Sequence, residues 1–488
     1  MIFNSVSLLT DGRKGECVRV AGILTMLAAM PIMAEEHENR PEIVANSVSV
    51  VQKEDSPLVE IAYTLTGEPA IVTIAIETNT LVDASGDWVA VNGKGMEELL
   101  GEANKIVYTL DAPAKAFWKP SAEFNGSVLP PGTVRATVTA WPTNNPPNYM
   151  VVDLLPLNEQ EHLFPNRRYR YYATTNELPG GIKDDRYRIS KLLMRKIPAK
   201  NVVWLMGSPT KLDDPNRDTT NDVPHKVMLT EDYYAGVFEL TIGQLKSVGV
   251  LETLGTAKIS DYIESDVSDL IPAERIGHHI TDLRGKPANY TFVKNGHAVK
   301  SGSAIDSLRR RTSIKDIDLP TEAQWEYACR AGSGNVLPCN MQYSEENLKS
   351  IAWSAPNYYN HSKLNKNGPA PVGMLRPNDW GLYDTIGNVA EICLDMIGYD
   401  ATSTWKYLDE FKESLAEGWA DGAVTVDPKG ANHSETGRNM VRGGGRRDHT
   451  YPTTSTFKRI NQQPDIAPKQ DRGIVGVRLF CSVKEAVK

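Results

Sequence analysis

Between residues 40 and 156, apolar and polar positions alternate with a period of two through a series of short runs. The clearest is Ala70 to Thr78, where Val72, Ile74 and Ile76 form one apolar face against the more mixed Ile71, Thr73, Ala75 and Glu77. That alternation predicts a half-buried strand. Val59 to Thr66, Lys105 to Leu110, Val134 to Trp141 and Tyr149 to Leu155 also read as short strands. Gly67-Glu68-Pro69 breaks the first two runs and predicts a hairpin between them. Short strands separated by repeated turn signals predict an all-β sandwich over 40–156.

The spacing of those turn signals suggests an immunoglobulin-like arrangement. No catalytic constellation occurs within it, so a spacer or adhesive role is expected there. From 157 to 199 the period is lost, and the segment is read as a linker. Its most unusual run, Arg167-Arg168-Tyr169-Arg170-Tyr171-Tyr172, could stack and charge-pair with single-stranded nucleic acid. It equally describes one face of a partly exposed strand, and the strand reading is preferred. Beyond 200 the chain is rich in Gly, Pro and Asn between short motifs, which predicts long loops with few strands. Thr321 is placed as an N-cap with Gln324 completing a capping box and Glu322 in the first turn. Trp325, Ala328 and Cys329 follow on one helical face, and Gly332 stands where the helix should end.

Length and charge narrow the partners. A chain of 488 residues exceeds the roughly 250–300 residues of a single core, which favours several domains. Asp and Glu (61) outnumber Lys and Arg (53), for a net charge of -8, which argues against nucleic acid, whose backbone needs a concentrated basic surface. The apolar run Val20 to Met33 follows Arg13, Lys14 and Arg19 and precedes Ala34 and Glu35-Glu36. Residues 1–34 are therefore read as a secretory signal, and the mature chain is expected in the periplasm, at the cell surface or outside the cell. The run is short for a membrane span, and no later stretch comes close. Loss of the leader removes Cys17 and leaves Cys329, Cys339, Cys393 and Cys481. Disulfides and buried free thiols both remain open for these four, while the lack of any CxxC argues against structural zinc or a redox pair. His278-His279 has no third ligand at suitable spacing.

Several segments beyond Asn201 occur in a telling order. They begin with Trp204-Leu205-Met206-Gly207-Ser208-Pro209, Pro224-His225 and Tyr233-Tyr234-Ala235-Gly236-Val237-Phe238-Glu239-Leu240-Thr241. Leu319-Pro320-Thr321-Glu322-Ala323-Gln324-Trp325-Glu326-Tyr327, Asn378-Asp379-Trp380-Gly381-Leu382-Tyr383-Asp384 and Gly387-Asn388-Val389-Ala390-Glu391 follow. Arg442-Gly443-Gly444 and Gly476-Val477-Arg478-Leu479 close the series. Over 200–482 this order resembles the formylglycine-generating enzyme, or sulfatase-modifying factor, family. The resemblance implies an α+β, loop-rich fold related to C-type lectins. It also implies a calcium loop in which Asp384 and Glu391 supply side-chain oxygens and Gly387 and Val389 supply backbone carbonyls, a donor set that suits a hard cation.

The resemblance fails at the family's chemistry. Its oxidases place two copper-binding cysteines after the Arg-Gly-Gly segment, and at the matching positions this chain has Asp448 and Thr453. Neither offers the soft thiolate that Cu(I) prefers, and no cysteine lies between Cys393 and Cys481. Copper is therefore not expected. Arg446, Arg447, Asp448, His449 and Thr453 would instead line a groove of mixed charge, fit for a peptide or carbohydrate ligand. The expected protein is a non-catalytic binding scaffold, and the alternative is a formylglycine-generating or related oxidase. The related sulfoxide synthases pair this fold with a histidine-rich iron domain, for which the amino-terminal region offers no cluster.

Overall fold

The computed structural model describes residues 40–488 apart from 55, 109–111, 121–127, 157–167, 209–223, 252–267, 275–282, 285–298, 359–367, 398–423, 429–437, 446–454, 457–459, 463–474 and 487–488. The leader, His278-His279 and the groove residues Arg446, Arg447, Asp448, His449 and Thr453 lie outside the described residues.

The amino-terminal strands form two four-stranded antiparallel sheets. One runs in the order Ser49–Gln52, Val59–Tyr63, Ala114–Trp118, Leu100–Gly101. In the other, Ala70–Asn79 pairs with Val134–Pro142, Trp88–Ala90 and Lys105–Val107. The predicted apolar face is inside, since Val72, Ile74 and Ile76 join Val59, Ile61, Tyr63 and Trp118 in one core. The predicted hairpin is not formed: Val59–Tyr63 and Ala70–Asn79 belong to different sheets. The Gly67-Glu68-Pro69 turn carries the chain from one layer to the other, because each strand buries its apolar face against the opposite sheet.

Tyr149–Asp153 does not belong to this pair of sheets. It lies inside a five-stranded antiparallel sheet with order Tyr169–Tyr172, Tyr149–Asp153, Lys191–Ile197, Tyr233–Gly236, Phe480–Ser482. The segment read as a linker, 157–199, thus contributes two of these strands. The strand before the boundary drawn at 156 thus pairs with strands beyond it, because strand partners are chosen across the fold and not by adjacent sequence. Tyr169, Tyr171 and Tyr172 of the Arg-Tyr run are buried. Arg168 donates to the Leu155 carbonyl at 2.9 Å and Arg170 pairs with Glu98 at 3.0 Å, as expected of a strand. Ile71, on the face opposite Val72, packs into the core behind this sheet together with Met150, Val152, Leu192 and Tyr234.

A four-stranded sheet carries the later motifs, with order Ile460–Gln462, Arg438–Arg442, Ala390–Ile397, Val475–Gly476. Helix Glu322–Arg330 packs on it. Thr321 Oγ1 accepts from the Gln324 N–H at 3.2 Å and Gln324 Oε1 accepts from the Thr321 N–H at 3.0 Å, which is the predicted capping box. The helix ends on left-handed Ala331 (φ 47°), followed by Gly332 (φ 84°). Among the described residues no helix is long and apolar enough to cross a membrane.

Candidate functional site

The predicted calcium loop begins where Asp384 turns left-handed (φ 53°), passes Gly387 (φ 82°) and Asn388 (φ 53°), and enters the strand Ala390–Ile397. Glycine is required at 387, since a Cβ there would lie 2.5 Å from the Trp353 carbonyl oxygen. The Gly387 N–H donates to the Gly443 carbonyl at 3.0 Å, which joins this loop to the Arg442-Gly443-Gly444 segment.

Arg442 is fully buried and is the centre of that junction. Its Nε lies 3.3 Å from Glu322 Oε1, its Nη2 pairs with Glu326, and its guanidinium stands 5.2 Å from the Trp325 ring centre. Arg330 also grips Glu326, at 2.7 Å. Capping and the helix dipole explain the acidic residues of the Leu319–Tyr327 motif in the sequence, but in the fold these residues also neutralise two buried guanidinium groups. The groove residues follow directly from this clamped segment along the chain.

Trp325 connects the junction to Glu391, donating its indole N–H to Glu391 Oε2 at 2.6 Å. Glu391 is also held by Arg478, through Nη2 to Oε1 at 2.6 Å and Nε to Oε2 at 3.1 Å. Both partners are essentially inaccessible. Asp384 Oδ2 accepts from the Gly373 N–H at 2.7 Å, while its Oδ1 is buried without a hydrogen-bond partner. Burial, with Glu391 nearby, pushes the Asp384 carboxyl up to about 6. Glu239, beside both, is raised well above the ordinary carboxylate range by burial and then by Asp384 and Glu391. No sequence motif singled out Glu239, although it stands inside the quoted Tyr233–Thr241 segment.

Arg478 pairs with Glu391, its charge also acts on the buried Asp384 and Glu239, and Asp384 Oδ1 has no hydrogen-bond partner. An arrangement short of positive charge and rich in oxygen fits a hard dication. Glu391 would enter its shell with lone pairs already shared with Arg478 and Trp325. Among the described residues no three Asp, Glu, His or Cys side chains converge as a metal cage, so backbone carbonyls such as those of Gly387 and Val389 would have to complete the shell.

The four described cysteines are all free thiols. Cys329 and Cys393 lie in one apolar cluster with Trp325 and Met440, and Cys481 lies in another, 3.9 Å from the Met194 sulfur. Full burial pushes the Cys329 thiol up to about 12 and the Cys393 thiol well above its usual range.

Loop-rich architecture, the clamped Arg-Gly-Gly segment and the acidic loop define one class of domain. Residues 194–483 match the sulfatase-modifying factor enzyme 1-like domain, and the chain belongs to that family. The formylglycine-generating enzyme of Bos taurus is 24% identical over 270 residues, covering 51% of this chain and 65% of the bovine protein, just under two thirds of its length. A chaperone protein, LppX, of Paenibacillus barcinonensis is 31% identical over 155 residues, 28% of this chain and 52% of that one. Among solved structures, Treponema denticola variable protein 1 overlaps 60% of this chain and 95% of its own, at 20% identity and a TM-score of 0.38.

Proposed function

We propose that this chain is an exported, non-oxidising member of the family, a calcium-braced scaffold whose loops bind a peptide or glycan. One observation carries the reading. Between Cys393 and Cys481 the sequence has no cysteine, and those two thiols are buried in separate clusters. A two-thiolate copper centre after the Arg-Gly-Gly segment therefore lacks its ligands. Calcium would be held by Asp384 and Glu391 with the carbonyls of Gly387 and Val389, where it would neutralise buried carboxylates and brace the loop. Arg446, Asp448, His449 and Thr453 follow the clamped Arg442-Gly443-Gly444 segment and would contact the ligand. The paired amino-terminal sheets support an immunoglobulin-like sandwich, and residues 1–34 support export.

The test is incubation of the purified protein with a cysteine-containing sulfatase peptide, copper and oxygen, with a glycan and peptide array in parallel. Array binding without aldehyde supports the scaffold. The second reading, a formylglycine-generating oxidase, draws on the name of the bovine relative, and catalytic aldehyde formation would select it. Fractionation with sequencing of the mature amino terminus tests export, which a cytoplasmic protein retaining Met1 would refute.

A further inference from the structure

Glu239 has no part in the ligand set drawn above, yet it is 0% exposed and directly beside the loop. Its Oε1 accepts from the Val389 N–H at 3.1 Å and its Oε2 from Asn388 Nδ2 at 2.7 Å. Asn388 is itself fastened on two other sides: its N–H donates to the Trp353 carbonyl at 2.7 Å, and its Oδ1 accepts from the Ala370 N–H at 2.9 Å. Gly387 and Asn388 are both left-handed, a course that glycine and asparagine tolerate better than other residues.

We propose that Glu239 is the positioning residue of the 384–391 loop: its carboxylate holds the left-handed Gly387-Asn388 turn, and so sets how Asp384, Glu391 and the intervening backbone face a cation. Both oxygens of Glu239 accept here, which a glutamine could not reproduce, because its amide would turn an N–H toward Asn388 Nδ2. The positioning role stands on the hydrogen bonds alone, whereas its effect on a cation rests on the calcium reading.

The experiment follows amide hydrogen exchange at Val389, with chelator and with calcium, alongside calorimetric calcium titration of wild type, Glu239→Gln and the double variant Glu239→Gln/Asn388→Asp. In chelator, Glu239→Gln is expected to speed exchange at Val389 at least tenfold and to raise the half-saturating calcium concentration about tenfold. The double variant re-pairs the introduced amide with the introduced carboxylate but gives up the Asn388 Nδ2 bond to the Ala370 carbonyl at 3.2 Å, so it is expected to recover part of the slow exchange, which general loosening of the core would not. Wild type that binds no calcium would remove the calcium reading and leave the exchange result to decide the positioning role. Exchange in Glu239→Gln within twofold of wild type, or no recovery in the double variant, overturns the proposal. Should Glu239→Gln fail to fold, Asn388→Asp alone sets two carboxylates face to face. Unchanged exchange at Val389 in that variant overturns the proposal too.

Discussion

Arg478 closes on Glu391 with Nη2 2.6 Å from Oε1, and both side chains are 1% exposed. The same guanidinium donates to the carbonyls of Gly236, Val237 and Tyr383, so it ties the loop to the five-stranded sheet. Removing one partner of such a pair strands the other in a low dielectric. Glu391→Ala is therefore expected to cost about 3–5 kcal/mol, read as a loss of urea stability with or without calcium. A cost below about 1 kcal/mol would mean that water reaches Arg478.

Calcium is better tested at Asp384, whose Oδ1 lacks a hydrogen-bond partner and whose Oδ2 gives up the Gly373 N–H equally with and without calcium. Calcium at one hundred times its dissociation constant is expected to stabilise wild type by about 2.7 kcal/mol, and Asp384→Ala should abolish that gain. Equal melting temperatures of wild type in calcium and in chelator would reject the site.

Arg442 offers a comparison between buried and exposed pairs. Arg442→Ala removes the buried guanidinium from Glu322 and leaves Glu326 with Arg330 as its cation, and should destabilise by about 3–5 kcal/mol. Lys349→Ala, which breaks the exposed pair with Glu345, should change stability by less than about 1 kcal/mol. Urea denaturation of both variants checks the contrast, and similar losses would contradict it.

Thiol labelling follows burial and acidity. Cys339, the partly exposed one, is pushed up to about 11, first by burial and then by Asp379. At pH 8 roughly one such thiol in a thousand is ionised. Native protein should therefore label slowly at Cys339 and about tenfold faster per pH unit, while Cys329, Cys393 and Cys481 label only after denaturation. Mass spectrometry reads this directly, and rapid native labelling of Cys393 or an internal disulfide would contradict it.

The domain boundary can be tested by truncation. A chain starting at Asn201 loses Tyr149–Asp153, Tyr169–Tyr172 and Lys191–Ile197, three of the five strands of one sheet, and is expected to be insoluble. A chain starting at Thr143 keeps all five strands and should fold, less stably, having lost Ile71 from the core. A folded, soluble chain beginning at Asn201 would show that the sheet is not needed.

Much of this was legible in the sequence wherever the cause is local. The alternation of Val72, Ile74 and Ile76 marks a buried face because side chains on a strand point to opposite sides, and Thr321 with Gln324 marks a helix start because both partners lie within one turn. Motif order marked the family for a similar reason, since each motif is short and self-contained. The capping box and the strand face appear in the structure where the sequence placed them.

Tertiary structure decided whatever depends on partners far apart along the chain. Tyr149–Asp153 is an almost continuous apolar run buried on both faces, and its pairing with Lys191–Ile197 assigns it to the other sheet. Glu322 and Glu326 read as capping and packing residues until Arg442, 116 residues beyond Glu326, is seen between them. Glu239 carries no pattern of its own, because its meaning lies in two donors about 150 residues away. A buried charge is specified by whatever neutralises it, and that neighbour is chosen by the fold rather than by adjacent sequence.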